Sequence, residues 1–189
     1  MAALRHPFLP DTAGGATGAA LHAPGRPSAS HTELAQAADG IAHLLAGRGI
    51  GPGSVVAIVL PNGPAMVSVF LAVTAIASAA PLNPSYSAQE FRFFLEDLDA
   101  DLLICPPSGF ETLAEVAADL SIPVLFVDED TGAAAGFVTV TDRSGDVVAG
   151  TTPDRNEAGD IVLMLHTSGT TAKPKQVGLT RANIEASIG

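Results

Sequence analysis

Apolar residues fall into two alternating patterns along the chain. Four short, nearly continuous apolar runs stand at Val55 to Leu60, Leu102 to Cys105, Val124 to Val127 and Ile161 to Leu165. Short runs without polar alternation read as strands buried on both faces, as in a parallel sheet. Between them apolar residues recur three and four apart, at Leu34, Ala38, Ile41 and Leu45, at Phe91, Phe94, Leu95 and Leu98, and at Leu113, Val116, Ala117 and Leu120. That spacing predicts helices with one buried face. Each is preceded by a Ser-x-x-Glu pair, at Ser30 and Glu33, Ser87 and Glu90, and Ser108 and Glu111, the pattern of a capping box. Gly47 and Gly49 are placed to stop the first helix, and Thr180 or Asn183 to start one near the end. Strand and helix in alternation predict an α/β fold: a doubly wound, mostly parallel sheet with flanking helices.

The stretch from Ser54 to Gln89 carries no charged side chain, and Met66 to Leu82 is almost wholly apolar or small. A membrane-spanning helix needs about 20 apolar residues, and this run of about 17 lies between prolines with no flanking Lys or Arg. It reads as a buried core helix. Met1 to about Ala19 has no periodicity and no sustained apolar core, so it is expected to be a loose N-terminal arm rather than a signal peptide, with residues 20–189 forming the folded part. Asp128 to Asp160 is polar and acidic, a surface connection in which only Phe137 to Val140 suits an edge strand. A cytoplasmic protein is expected.

Charge narrows the function classes. Nine Lys and Arg against 20 Asp and Glu give a net charge of −11, which excludes a basic stripe for nucleic acid. The single cysteine, Cys105, excludes an internal disulfide and a cysteine-based zinc site, and the five histidines share no ligand spacing. No metal site is expected within the chain. Cys105 and His166 are expected to pack at the ends of their strands.

The residues that suggest chemistry follow the last apolar run: His166-Thr167-Ser168-Gly169-Thr170-Thr171-Ala172-Lys173-Pro174-Lys175. An open α/β sheet binds ligands at the carboxyl ends of its strands. A run of Thr, Ser and Gly there offers hydroxyls and unhindered backbone N–H groups to an anion. The chain has only two lysines, Lys173 and Lys175, and both lie in this segment, whereas the other basic residues are arginines. A retained lysine fits a need for a compact point charge. The spacing fails for a Walker A loop, because the fifth residue after Gly169 is Pro174, and no glycine fingerprint follows Val55 to Leu60.

The segment Thr167 to Lys175 resembles the phosphate loop of the adenylate-forming superfamily, which holds acyl-CoA synthetases, adenylation domains of nonribosomal peptide synthetases, and luciferases. Ala20-Leu21 with Ala23 to Pro27, Gly53 to Asn62, and Ala80-Pro81-Leu82-Asn83-Pro84 are similar to other segments of the same family, so the resemblance extends over about Ala20 to Gly189. His166 and Leu82 to Tyr86 look most like oxalate–CoA ligases and related acyl-CoA synthetases.

The resemblance implies an acyl-CoA ligase that uses ATP, Mg²⁺ and coenzyme A with a small-molecule carboxylate. An acyl-adenylate forms first, and a thioester follows. Thr167, Ser168, Thr170, Thr171 and Lys175 would contact the β- and γ-phosphates, and Gly169 would allow close backbone approach. A carrier-protein-loading adenylation domain, an aryl-acid ligase, and a non-catalytic interaction module are the alternatives. Members carry glycine where this chain has Ala172 and Gln176, so the side chain of Gln176 is expected to bear on Lys175. The family's aromatic-Gly-x-Thr-Glu segment, ribose-binding aspartate, hinge and C-terminal lysine lie beyond this loop, and the C-terminal domain is not within these residues. Residues 1–189 are therefore expected to be a partial N-terminal domain, inactive alone, with uncovered core surface through which it could self-associate.

Overall fold

The apolar runs become the centre of a seven-stranded sheet. The structure is a computed structural model that describes residues 8–9, 18–147, 149–167 and 174–188. Its elements in chain order are β1 (Ala19–Leu21), β2 (Ala29–Ser30), α1 (His31–Gly47), β3 (Val55–Ile58), α2 (Pro64–Ile76), β4 (Ser78–Pro81), α3 (Ala88–Leu98), β5 (Leu102–Cys105), α4 (Glu111–Asp119), β6 (Val124–Glu129), β7 (Val138–Thr141), β8 (Ile161–Thr167), β9 (Lys175–Thr180) and α5 (Arg181–Ile188). The sheet order is β7-β6-β5-β3-β4-β8-β9, and β1 pairs with β2 separately. The central strands β6, β5, β3, β4 and β8 are mutually parallel, while β7 and β9 run antiparallel at the two edges.

Strand pleating divides the core in two. Val56, Ile58, Leu102, Ile104, Leu125 and Val127 point to one face, where they pack with α1 and α2. Their neighbours Ala57, Val59, Leu103, Cys105 and Val124 point to the other, beneath Phe91, Phe94 and Leu95 of α3 and Leu113 and Val116 of α4. Alternation of period two inside continuous apolar runs is what a sheet covered on both faces requires. The expected doubly wound, mostly parallel architecture is observed.

Two of the three expected capping boxes form. Ser30 and Ser87 accept the N–H of Glu33 and Glu90, and each glutamate carboxylate accepts its serine's N–H at 2.8 Å. These bonds to the charged form hold both carboxyls below the usual carboxylate range. The third does not form. Gly109 takes φ +80°, and α4 starts one residue after Phe110, so Glu111 occupies its first turn and accepts the N–H of Gly109 instead. The first helix stops as its glycines predict: Gly49 adopts φ +80°, its N–H reaches the carbonyl of Ala46, and that of Ile50 reaches Leu45. At the far end Thr180 and Asn183 cap α5 reciprocally, the Asn183 N–H donating to Thr180 Oγ1 at 3.2 Å.

The apolar run Met66 to Leu82 is not one core helix. Helix α2 ends at Ile76, and Ser78 to Pro81 form β4 between β3 and β8. Small side chains allow β4 to be enclosed on both sides, and the Ser78 hydroxyl donates to the carbonyl of Ile161. Asn156 ends α2 from outside: its side-chain amide donates to the carbonyls of Thr74 and Ala77, and its backbone N–H to Ala75. It belongs to the acidic connection, which crosses beside α1 as well, where the Thr151 N–H donates to the carbonyl of His43. Near the N-terminus the Phe8 ring lies 5.0 Å from that of Phe70. Among the described residues no helix is long and apolar enough to cross a membrane.

Candidate functional site at the carboxyl edge of the sheet

Strand β8 leaves the sheet where the parallel strands have their carboxyl ends. The chain departs from β3 toward α2 on one face and from β4 toward α3 on the other, which makes the edge between them the switch point of the sheet, with β8 beside β4. The turn after β4 is an Asx turn, in which Asn83 Oδ1 accepts the Ser85 N–H.

An antiparallel hairpin carries the Thr-, Ser- and Gly-rich segment. Its register pairs Thr167 with Lys175, His166 with Gln176 and Leu165 with Val177. Directly opposed residues share a face and successive pairs alternate, so Thr167 and Lys175 lie on one side of the hairpin and His166 and Gln176 on the other. Thr167 and Lys175 are both exposed, and Thr167 Oγ1 donates to the Lys175 carbonyl at 3.4 Å. Ser168, Gly169, Thr170, Thr171, Ala172 and Lys173 lie outside the described residues.

The His166 side chain, only 8% exposed, meets Phe94 edge-on at 4.7 Å and places Nε2 2.9 Å from Asp97 Oδ2. The expected packing at the strand end is what the structure shows. The Gln176 side-chain amide donates to the Asp97 carbonyl at 2.7 Å, so it points to α3 and away from the face that carries Lys175. The pleat puts the Gln176 and Lys175 side chains on opposite faces of the hairpin. Phe94 also stacks on Tyr86 at 4.7 Å, which confirms the α3 phenylalanines as packing residues.

A second feature of this edge that favours anions is already filled. The amino end of α2 has no side-chain cap of its own, and Glu129 Oε1 accepts the Ala65 N–H at 3.2 Å. Cys105 is buried, and desolvation pushes its thiol up to about 12. Among the described residues no three His, Cys, Asp or Glu side chains gather as metal ligands. Sequence reasoning missed Asp97 and the strand β9. The alternation of Val177 and Leu179 about Gly178 is the signal that could have marked β9, whereas Asp97 is 69 residues from His166 and carries none.

The fold and the hairpin together define a doubly wound α/β domain in which Thr167 and Lys175 meet at the carboxyl edge of the parallel strands. The chain belongs to the AMP-binding enzyme family, which it matches over residues 16–189. It is 39% identical over 171 residues to an oxalate–CoA ligase of Arabidopsis thaliana, covering 89% of this chain and 33% of that protein. It is 36% identical over 171 residues to the acyl-CoA synthetase FUM10 of Gibberella moniliformis, covering 84% of this chain and 30% of the relative. ATP-bound MatB from Rhodopseudomonas palustris superposes with a TM-score of 0.73 at 26% identity, over 92% of this chain and 34% of that structure. The chain thus spans about a third of the length of these two relatives.

Proposed function

We propose that these residues form the ATP phosphate-binding part of an acid–thiol ligase that joins a small carboxylic acid to coenzyme A. The observation that carries this is the placing of Thr167 and Lys175 as an exposed register pair at the carboxyl edge, in a chain that matches the AMP-binding family almost throughout. Residues 1–19 act as an arm, and residues 20–189 as the first part of the ATP-binding domain.

In the first step a carboxylate oxygen bonds to the α-phosphorus of ATP, and the bond from that phosphorus to the bridging oxygen breaks. Pyrophosphate departs with the electron pair. In the second, the thiol of coenzyme A attacks the acyl carbon and AMP leaves. Negative charge grows on the departing pyrophosphate, so fixed donors that meet it lower the barrier. The Lys175 ammonium is a point donor suited to a β- or γ-oxygen, and the hydroxyls of Thr167, Ser168, Thr170 and Thr171 add further donors. Gly169 gives the backbone room to approach. Mg²⁺ bound with ATP would supply further neutralisation of the phosphate charge. The reaction takes place in the cytoplasm, with acyl-CoA formation of the fatty-acid type as its metabolic setting.

Relatives named as oxalate–CoA ligases make oxalate the first acid to test. In the intact protein, carboxylate-dependent exchange of pyrophosphate into ATP followed by thioester formation with coenzyme A is expected. No exchange with oxalate or with short- and long-chain acids contradicts the proposal.

A further inference from the structure

Both stems of the proposed phosphate loop are tied to the same residue of another element. His166 is the last residue but one of β8, just before Thr167, and Gln176 is the second residue of β9, just after Lys175. The two face each other across the hairpin, and both reach Asp97 in the last turn of α3. His166 Nε2 donates to the Asp97 carboxylate at 2.9 Å, and the Gln176 amide donates to the Asp97 carbonyl at 2.7 Å. The Nε2–H tautomer follows from the partner, because an ionised carboxylate only accepts.

We infer that Asp97 is a positioning residue that sets the placing of Thr167 and Lys175 by holding their neighbours His166 and Gln176 against α3. The inference rests on the phosphate-loop reading above. Its physical need is visible in the sheet. Among the described residues β9 pairs only with β8, and β8 meets β4 at the single register position Ala79 to Leu163. That pairing and the bond from Ser78 to Ile161 both lie toward the start of β8, remote from the end that carries Thr167 and Lys175. Helix α3 is held in place, since Phe91, Phe94, Leu95 and Leu98 are buried beneath it. Anchoring to α3 therefore ties Thr167 and Lys175 to the rigid core. Because side chains alternate across the pleat, the ties occupy one face and leave Thr167 and Lys175 turned to the other. Holding donors in place before the ligand arrives spares the ordering entropy that binding would otherwise cost.

The test is titration of the intact protein with ATP·Mg²⁺ by calorimetry, alongside thermal unfolding. Asp97→Ala and His166→Phe, which keeps the ring against Phe94, are each expected to weaken ATP by about 5- to 30-fold. Asp97→Asn retains an acceptor for His166 and is expected to restore affinity to within about 3-fold of the wild type. Equal loss in Asp97→Asn and Asp97→Ala overturns the inference. If Asp97→Ala fails to fold, His166→Phe carries the same expectation. Wild-type affinity in these variants, with ATP still weakened by Lys175→Ala, overturns the positioning role alone and leaves the loop reading intact. ATP affinity that none of the substitutions changes, Lys175→Ala included, overturns both.

Discussion

Arg26 Nη1 lies 2.6 Å from Glu129 Oε2, joining the first turn of the chain to the end of β6 across 103 residues. The arginine side chain is 7% exposed and also donates to the carbonyls of Asp130 and Ala134. Glu129 turns its other oxygen to the amino end of α2. One carboxylate thereby neutralises a buried guanidinium and caps a helix. Glu129→Ala removes both and leaves the charge enclosed, a strong effect tempered by the partial exposure of the glutamate. A loss of about 1–3 kcal/mol in urea unfolding is expected. A double-mutant cycle with Arg26→Ala should show the two losses to be non-additive.

Two glycines of α1 should respond in opposite senses. A Cβ at Gly47 would sit 1.9 Å from the Ala149 carbonyl oxygen, where the acidic connection crosses the helix end. That backbone cannot yield cheaply, so Gly47→Ala should cost at least about 2 kcal/mol. Gly40 is exposed, with nothing within 4 Å of its would-be Cβ. Gly40→Ala should stabilise by about 0.5–1 kcal/mol through helix propensity and a less flexible unfolded chain. Urea midpoints of the two variants check both signs.

The position of Cys105 gives a pH dependence with a definite sign. Its thiol titrates near 9.0 when exposed and near 12 in the folded protein, chiefly through desolvation. Between those values the unfolded chain has released a proton that the folded chain still holds. Stability therefore falls as pH rises, by about 1.4 kcal/mol per unit. The stability difference between wild type and Cys105→Ala, followed from pH 9 upward, should carry that slope. At neutral pH iodoacetamide should modify Cys105 only as fast as the protein unfolds. Modification of the folded state at the rate of a free thiol would contradict the burial.

The parts of the fold that could be read from sequence are those whose partners lie close together in the chain. Ser30 and Glu33, or Ser87 and Glu90, are three residues apart, and the cap is written in that spacing. Ser108 and Glu111 have the same spacing, yet Gly109 in its left-handed conformation moves the helix start past the serine. Strand β4 was hidden because a buried helix and a central strand are both unbroken apolar runs, and Ser78 to Pro81 follow α2 after only Ala77. The proposed phosphate segment Thr167 to Lys175 stands out by composition, since two lysines in an acidic chain fall within one glycine- and hydroxyl-rich segment. The tie of His166 and Gln176 to α3 was not legible, because Asp97 lies 69 and 79 residues from these partners and belongs to no local pattern.

Lys175 is the residue proposed to meet the phosphates of ATP, and the affinity of the intact protein for ATP·Mg²⁺ before and after Lys175→Ala tests that contact. Loss of one charge-assisted hydrogen bond should weaken ATP by roughly 10- to 150-fold, with the thermal midpoint little changed because the side chain is exposed. An unchanged dissociation constant for Lys175→Ala would contradict the assignment of this hairpin as the phosphate site.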